Sequence, residues 1–309
     1  TENDNILSFC SALAMQCFVN EYVYNECDEE LEALKNLEKS TQLLLNAGQQ
    51  PHPIVIACLA SYKPLKEYAF FPLLAIPNSL HEIKTRQILE PEEEVFLRDS
   101  IPALKPIENN ISSMVQAQYE ENPYPRWINL SLHPVPKSIA EVSNLLRLQI
   151  TNRNIFSVKN PQILIAGCGT GQHPITTSAR FSDSKILAID LSLTSIAYAK
   201  RKTRELKLNN ICFMQADILE LEALDQTFDI IESVGVLHHL DDPLAGWKML
   251  ANRLRPNGLM KIGLYSETAR QHITRIRKKY QVNTVSPAKQ EIRVFREAMM
   301  ASNQPDEKK

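Results

Sequence analysis

Gly167-Cys168-Gly169-Thr170-Gly171 follows the apolar run Ile163-Leu164-Ile165-Ala166. Glycines at such a place let the backbone approach a ligand with no Cβ in the way. In a doubly wound sheet, the loop from the first strand into its helix meets a nucleotide-like ligand lying across the carboxyl ends of the strands. Asp190, nineteen residues past Gly171, ends the next apolar run, Lys185 to Asp190. A carboxylate there accepts hydrogen bonds from two ribose hydroxyls and prefers a ribose without a phosphate. Asp217 follows a third run, Ile211 to Met214, within Gln215-Ala216-Asp217-Ile218; its carboxylate suits an exocyclic adenine amine while Ile218 packs on the ring. Together the three loops bracket an adenosine. A dinucleotide-binding Gly-x-Gly-x-x-Gly loop is the first rival, and its sixth position must be small. That position is Gln172, which disfavours NAD.

These loops need strands to hold them. From Pro161 onward, short apolar runs alternate with amphipathic ones, the pattern of a parallel sheet flanked by helices. The expected strands are 163–166, 185–190, 211–214, 228–233 and 259–264, and Ser192 or Ser195 is placed to cap the helix after the second. The front half differs. Only Gly48 precedes residue 167 among the glycines, and twelve of eighteen prolines lie from Pro51 to Pro136, which predicts short helices joined by fixed turns. Ile6, Phe9/Cys10, Leu13 and Cys17, then Leu31, Leu34, Leu37 and Leu43/Leu44, recur at helical spacing and are expected to form core stripes. The acidic stretch Glu26 to Glu32 reads as a solvated helix start, and Pro91-Glu92-Glu93-Glu94 as another.

The ordered motifs Ile163 to Gly171, Ala188-Ile189-Asp190-Leu191-Ser192, Met214 to Ile218, Phe228 to Leu240 and Leu254-Arg255-Pro256-Asn257-Gly258 resemble those of the class I S-adenosylmethionine-dependent methyltransferases, and Leu237-His238-His239-Leu240 resembles the ubiquinone-biosynthesis-type branch. The resemblance covers about residues 161–266. It implies an α/β fold, a Rossmann-like doubly wound and mostly parallel sheet preceded by a helical domain, with S-adenosylmethionine as cofactor. It further implies that Ala166, Gly167, Cys168, Gly169 and Gly171 lie along the cofactor's amino-acid portion, that Asp190 and Leu191 hold the ribose, that Asp217 and Ile218 hold the adenine, and that Ser233 belongs to the same site. His238 and His239 follow the fourth strand, where acceptor meets methyl, so either suits a general base; a helix cap and a core contact are the plainer roles. Ile165 stands where many members carry an acid, so one polar anchor is absent.

Tyr119-Glu120-Glu121-Asn122-Pro123-Tyr124-Pro125-Arg126-Trp127 is similar to the lead-in of bacterial methyltransferases fused to tetratricopeptide repeats, which points to repeats in a longer parent chain. Tyr119, Tyr124 and Arg126 are then lid candidates, against a proline-fixed linker with Trp127 plugged into the core. Asn122-Pro123-Tyr124 lacks the second proline of the Asn-Pro-Pro-Tyr motif of amino-methylating nucleic-acid enzymes. The family's usual closing hairpin has no counterpart after Leu264, and the start at Thr1 suggests an excised segment. The expected division is 1–108 helical, 109–158 lead-in or lid, 159–272 catalytic, and 273–309 basic helix and polar tail.

Composition narrows the partners. The chain has 309 residues, 44% hydrophobic and 23% charged, enough to bury a core, and its net charge of -2 gives no bulk attraction to nucleic acid or membrane. Arg270, Arg275, Arg277, Lys278 and Lys279 read as solvated charge. Six cysteines without a Cys-x-x-Cys pair exclude a zinc cage or disulfide scaffold and suit the cytoplasm. No metal, no membrane span and no clear nucleic-acid surface is expected. The expected enzyme transfers a methyl group to a small-molecule or protein acceptor. Its alternative is a non-catalytic adenosylmethionine-fold interaction module of a repeat protein.

Overall fold

The computed structural model of the protein describes residues 2–121, 123–132, 135–280 and 289–302. Two compact units result: Thr1–Glu93 with Gln271–Lys309, and Glu94–Arg270. The lead-in 109–158 thus falls within the same unit as the sheet. None of the described helices is long and apolar enough to cross a membrane.

In the first unit, helices α1 (Glu2–Val19), α2 (Asp28–Asn46) and α3 (Pro53–Ala60) pack together, followed by the short α4 (His81–Lys84). The sequence placed α1 and α2 correctly and their inner faces in part: Cys17 is buried and Cys10, Leu31, Leu34, Leu37 and Leu44 are half-buried, but the rest of the expected stripes is not. Ile6, Phe9, Leu13 and Leu43 are exposed, whereas α1 buries Ala14, Met15 and Cys17 and α2 buries Thr41 and Leu45. The cause is α3, whose Ile56, Ala57, Leu59 and Ala60 are fully buried; against so tight a helix, small residues such as Ala14 allow the closest approach. Asp28, Glu29 and Glu30 occupy the first turn of α2, complementing its dipole. Arg293, on the C-terminal helix, donates to Glu26 Oε2 at 2.8 Å and to the Tyr22 carbonyl at 2.8 Å.

Helix α5 (Glu90–Arg98) has proline in its first turn, as its sequence predicts. The second unit continues with α6 (Asn110–Glu121) and α7 (Ile139–Leu145), then β1 (Gln162–Ala166), α8 (Gln172–Arg180), β2 (Lys185–Asp190), α9 (Leu193–Glu205), β3 (Ile211–Gln215), β4 (Phe228–Val234), α10 (Pro243–Asn252) and β5 (Leu254–Gly263). The sheet order is β3-β2-β1-β4-β5, all parallel. The chain leaves β1 toward β2 on one side and returns through β4 on the other, so the carboxyl ends of β1 and β4 open a crevice at the switch point. Four strands lie within a residue of expectation. The fifth starts at Leu254 rather than at 259, because Phe228 pairs with Leu254 and Ile230 with Leu259, a bulge that absorbs Arg255 to Gly258. Among the described residues the sheet ends at β5. The basic helix is α11 (Gln271–Lys279) and is followed by α12 (Lys289–Ala301); the polar tail from 303 lies outside the described residues.

Two cores flank the sheet. One joins Trp127, Ile139, Ile163, Ile165, Ile175, Ile196 and Tyr198; the other joins Leu164, Ile189, Ile218, Phe228, Ile231 and Leu250. Because every second residue of β1 faces each core, both faces of the sheet are covered, as a parallel sheet requires. Arg201 (3% exposed) donates to Glu94 Oε1 at 2.8 Å, and Ser192 caps α9 by accepting from the Ser195 amide. Gly171 opens α8 with φ +92°, and a Cβ there would sit 2.6 Å from the Ala199 Cβ and 2.9 Å from its Cα. It is the residue that lets α8 and α9 approach. Gly171→Ala is expected to destabilise the fold by about 2–4 kcal/mol in urea denaturation, from overpacking added to the positive φ. Gly235→Ala, also at positive φ but with nothing within 4 Å of the added carbon, should lose about 1 kcal/mol. Equal losses would contradict this reading of Gly171.

Candidate active site

The glycine loop is fastened to the strand beside it. The amides of Gly167 and Cys168 both donate to the Ile189 carbonyl at 2.9 Å. The Gly169 amide donates to Asp190 Oδ2 at 2.7 Å, and the Ser192 amide to Asp190 Oδ1 at 3.1 Å. The carbonyl of Asp190 accepts from the Ala216 amide at 3.0 Å, and Gln215 Nε2 donates to the Leu191 carbonyl at 2.9 Å. One aspartate therefore connects the loops after β1, β2 and β3. Burial pushes its carboxyl above the usual aspartate range, against the amide hydrogen bonds that favour the charged form.

Around this clamp lies a cavity of about 420 Å³. Of the residues singled out in the sequence, Gly167, Cys168, Gly169, Asp190, Leu191, Asp217, Ile218, Tyr119, Tyr124 and His239 line it. Ala166, Gly171, Ser233, His238 and Arg126 do not. Ala166 is fully buried in the sheet, Gly171 is taken up by helix packing, and Ser233 Oγ is buried without a partner. Asp217 caps the turn after β3 by accepting from the Leu219 amide at 2.9 Å, leaving lone pairs over. Cys168 is buried, which raises its thiol pKa well above the ordinary value and argues against nucleophilic chemistry.

The lead-in forms a wall. Thr170 Oγ1 donates to the Pro125 carbonyl at 2.7 Å, and Trp127 Nε1 donates to the Thr170 carbonyl at 3.0 Å. Trp127 (6% exposed) is thus a plug that pins Tyr124 and Pro125 beside the glycine loop. Asn122 lies outside the described residues. Tyr119 also faces the cavity, and burial followed by the nearby Asp190 raises its phenol.

The histidines after β4 divide in role. His239 lines the cavity. His238 is sandwiched between the rings of His239 and Tyr265, at 4.2 Å from each, and both its nitrogens are buried without a hydrogen-bond partner. Burial, then the charges of His239 and Arg270, lower its pKa, which disfavours the protonated ring. The helix start that follows is capped by Asp242, which accepts from the Leu244 amide at 2.9 Å, so neither histidine serves as the cap.

Sequence reasoning missed a third histidine. His173, in the first turn of α8, lines the cavity and meets Glu232 Oε2 at 2.7 Å through Nε2. Glu232 (3% exposed) also accepts from Thr177 Oγ1 at 2.8 Å, with Arg180 Nη1 at 3.4 Å. Burial alone would raise this carboxyl, but the hydrogen bond and charge of His173, the charge of Lys261 and the Thr177 hydrogen bond together outweigh it and bring it down to about 2. Lys261, opposite Glu232 in the β4–β5 register, lines the cavity too. The signal for Glu232 was an acid flanked by apolar residues in the middle of the strand, the second acid of β4 after Asp229.

A depressed folded-state pKa means that Glu232 contributes its stability above the ordinary glutamate range and loses it as the pH falls toward 2. Glu232→Gln is expected to lower stability at pH 7 by on the order of 3 kcal/mol. The gap from wild type should narrow as urea titrations move from pH 5 to pH 3. A gap constant with pH would contradict the ionised pairing.

A family profile described as a methyltransferase domain matches residues 163–258. The uncharacterized protein syc1184_c of Synechococcus sp. is 38% identical over 114 residues, 37% of this chain and 27% of that protein. Trans-aconitate 2-methyltransferase of Deinococcus radiodurans is 32% identical over 101 residues, 33% of this chain and 36% of that protein. The solved structure of PKMT2 from Rickettsia typhi in complex with AdoHcy is 19% identical, with a TM-score of 0.43, covering 58% of this chain and 35% of that one. The chain thus spans well under half the length of these relatives.

Proposed function

We propose that this chain, whose residues 163–258 match a methyltransferase domain, is a class I S-adenosylmethionine-dependent methyltransferase that transfers a methyl group from that cofactor to a small-molecule or protein acceptor. The observation that carries the reading is the Asp190 clamp in the wall of a cavity of about 420 Å³ that Asp217 and Ile218 also line. Asp190 keeps lone pairs beyond the two amides it accepts from, enough for the ribose hydroxyls. Asp217 and Ile218 stand together for the adenine, and Gly167 and Gly169 line the cavity for the amino-acid portion. When bound, the cofactor supplies a sulfonium-activated methyl. The protein then has to align the acceptor, exclude water and, where the acceptor carries a proton, receive it.

His239 is the proposed proton acceptor of the His238–His239 pair, since it alone of the two reaches the cavity, with His238 supporting it from behind. Toward β4 and β5 the cavity lining carries His173, His239 and Lys261, while its carboxylates, Asp190 and Asp217, lie toward β2 and β3. That division favours an oxygen acceptor with acidic character over an ammonium. Trans-aconitate, for which one relative is named, is such an acid. The six free thiols suit a reducing, cytoplasmic setting. An association with tetratricopeptide repeats in a longer parent chain rests on the lead-in residues around Tyr124 and Trp127.

Titration of S-adenosylhomocysteine into the purified chain tests this reading. Micromolar binding is expected, weakened at least about tenfold in Asp190→Asn, which removes the charged acceptor. Transfer of labelled methyl to a panel of carboxylic acids, phenols and amines should favour the oxygen acids, and His239→Gln should lower turnover by about 10²-fold or more where the acceptor carries a proton. Wild-type protein that fails to bind S-adenosylhomocysteine would overturn the proposal.

A further inference from the structure

Helix α6 lies outside the segment that matches the methyltransferase domain, yet it forms one wall of the cavity through Ser112, Val115 and Tyr119, spaced three and four residues apart along one face. Both its ends are fastened. Just before it, the Leu104 amide donates to the Gln215 carbonyl at 2.9 Å, the Gln215 amide donates to the Pro102 carbonyl at 2.8 Å, and Lys105 pairs with Glu220 at 2.8 Å. At its far end, Glu120 accepts from the amides of Leu193 at 2.6 Å and Thr194 at 3.2 Å, and Ser192 Oγ donates to the Tyr119 carbonyl at 3.1 Å. The segment leading into α6 is therefore tied to the end of β3, beside Asp217 and Ile218, and the end of the helix to the start of α9, while Ser112, Val115 and Tyr119 place the helix along the cavity.

Two hydroxyls on these walls have no hydrogen-bond partner among the described residues. Ser112 Oγ on α6 and Ser195 Oγ in the first turn of α9 are both buried, their residues 1% exposed, and both residues line the cavity. A buried hydroxyl left unpaired is destabilising, and native structures rarely keep one without a partner. Both sit toward the β2–β3 side, away from His239 and Lys261. We infer that Ser112 and Ser195 are binding residues for the adenosine half of the cofactor, hydrogen-bonding its polar edge from a wall supplied by the lead-in. This rests on the cofactor reading above and extends it to residues outside the matched domain.

The test is calorimetric titration of the full chain and its Ser112→Ala and Ser195→Ala variants with two probes, S-adenosylhomocysteine and 5′-methylthioadenosine, which lacks the amino-acid end. Each variant should weaken both probes by a similar factor, about three- to tenfold. Melting temperatures without ligand should not fall, because each alanine removes an unpaired group. Unchanged affinity for both probes in folded variants would overturn the inference, as would a loss confined to S-adenosylhomocysteine, which would place the hydroxyls at the amino-acid end. Wild-type protein that binds neither probe would overturn the cofactor reading itself, and this inference with it.

Discussion

The hydrogen bond between the Gly169 amide and the Asp190 carboxylate, at 2.7 Å, holds the site together. A carboxylate partly withdrawn from water, as Asp190 is, is costly unless it is hydrogen-bonded, so its position is dictated by the donors within reach. Here the donors are backbone amides of two different loops, and the aspartate's own carbonyl engages a third loop through Ala216. Each charged hydrogen bond of this kind contributes on the order of 1.5–3 kcal/mol. The ends of β1, β2 and β3 are thereby fixed to one another before any ligand arrives, and a preformed site avoids the ordering cost that binding would otherwise carry.

The opposite side of the crevice has its own anchor in Glu232, and the two carboxylates respond differently to burial. For Asp190, burial prevails over the amides and the pKa rises. For Glu232, His173, Lys261 and Thr177 together prevail over burial and the pKa drops to about 2. The difference follows from the partners: neutral dipoles in one case, an imidazole that can carry charge in the other. Glu232 remains an anion that orients His173 at the cavity wall, while Asp190 presents acceptor lone pairs to a ligand. With Lys261 and His239 on the same side as His173, the crevice carries its carboxylates, Asp190 and Asp217, on one half and its basic side chains on the other.

Much of this was legible in the residues. Strand runs such as Lys185 to Asp190 are short, apolar and bounded by turn signals, so local pattern identifies them, and of the two serines the sequence offered as the cap of α9, Ser192 and Ser195, the structure selects Ser192. Contacts made only in three dimensions were not legible. Ser112, Val115 and Tyr119 have the spacing of any amphipathic face, and nothing local distinguishes a face turned to a cavity from one turned to a core. His173 gains its meaning from Glu232, fifty-nine residues away. Gly171 was read as ligand-lining because it belongs to the motif, but its place is decided by Ala199 on another helix. The exposed Ile6, Phe9 and Leu13 show the same limit: periodicity finds the helix, and the packing partner α3 decides which face is buried.

The central claim is that the Asp190 clamp preforms an adenosine site. A crystal structure of the chain grown with S-adenosylhomocysteine tests it most directly. The account predicts ribose hydroxyls on Asp190 and adenine against Ile218, with the Gly169 amide still bonded to Asp190. Nucleoside bound away from Asp190, or a Gly169–Asp190 bond opened to admit it, would contradict the account.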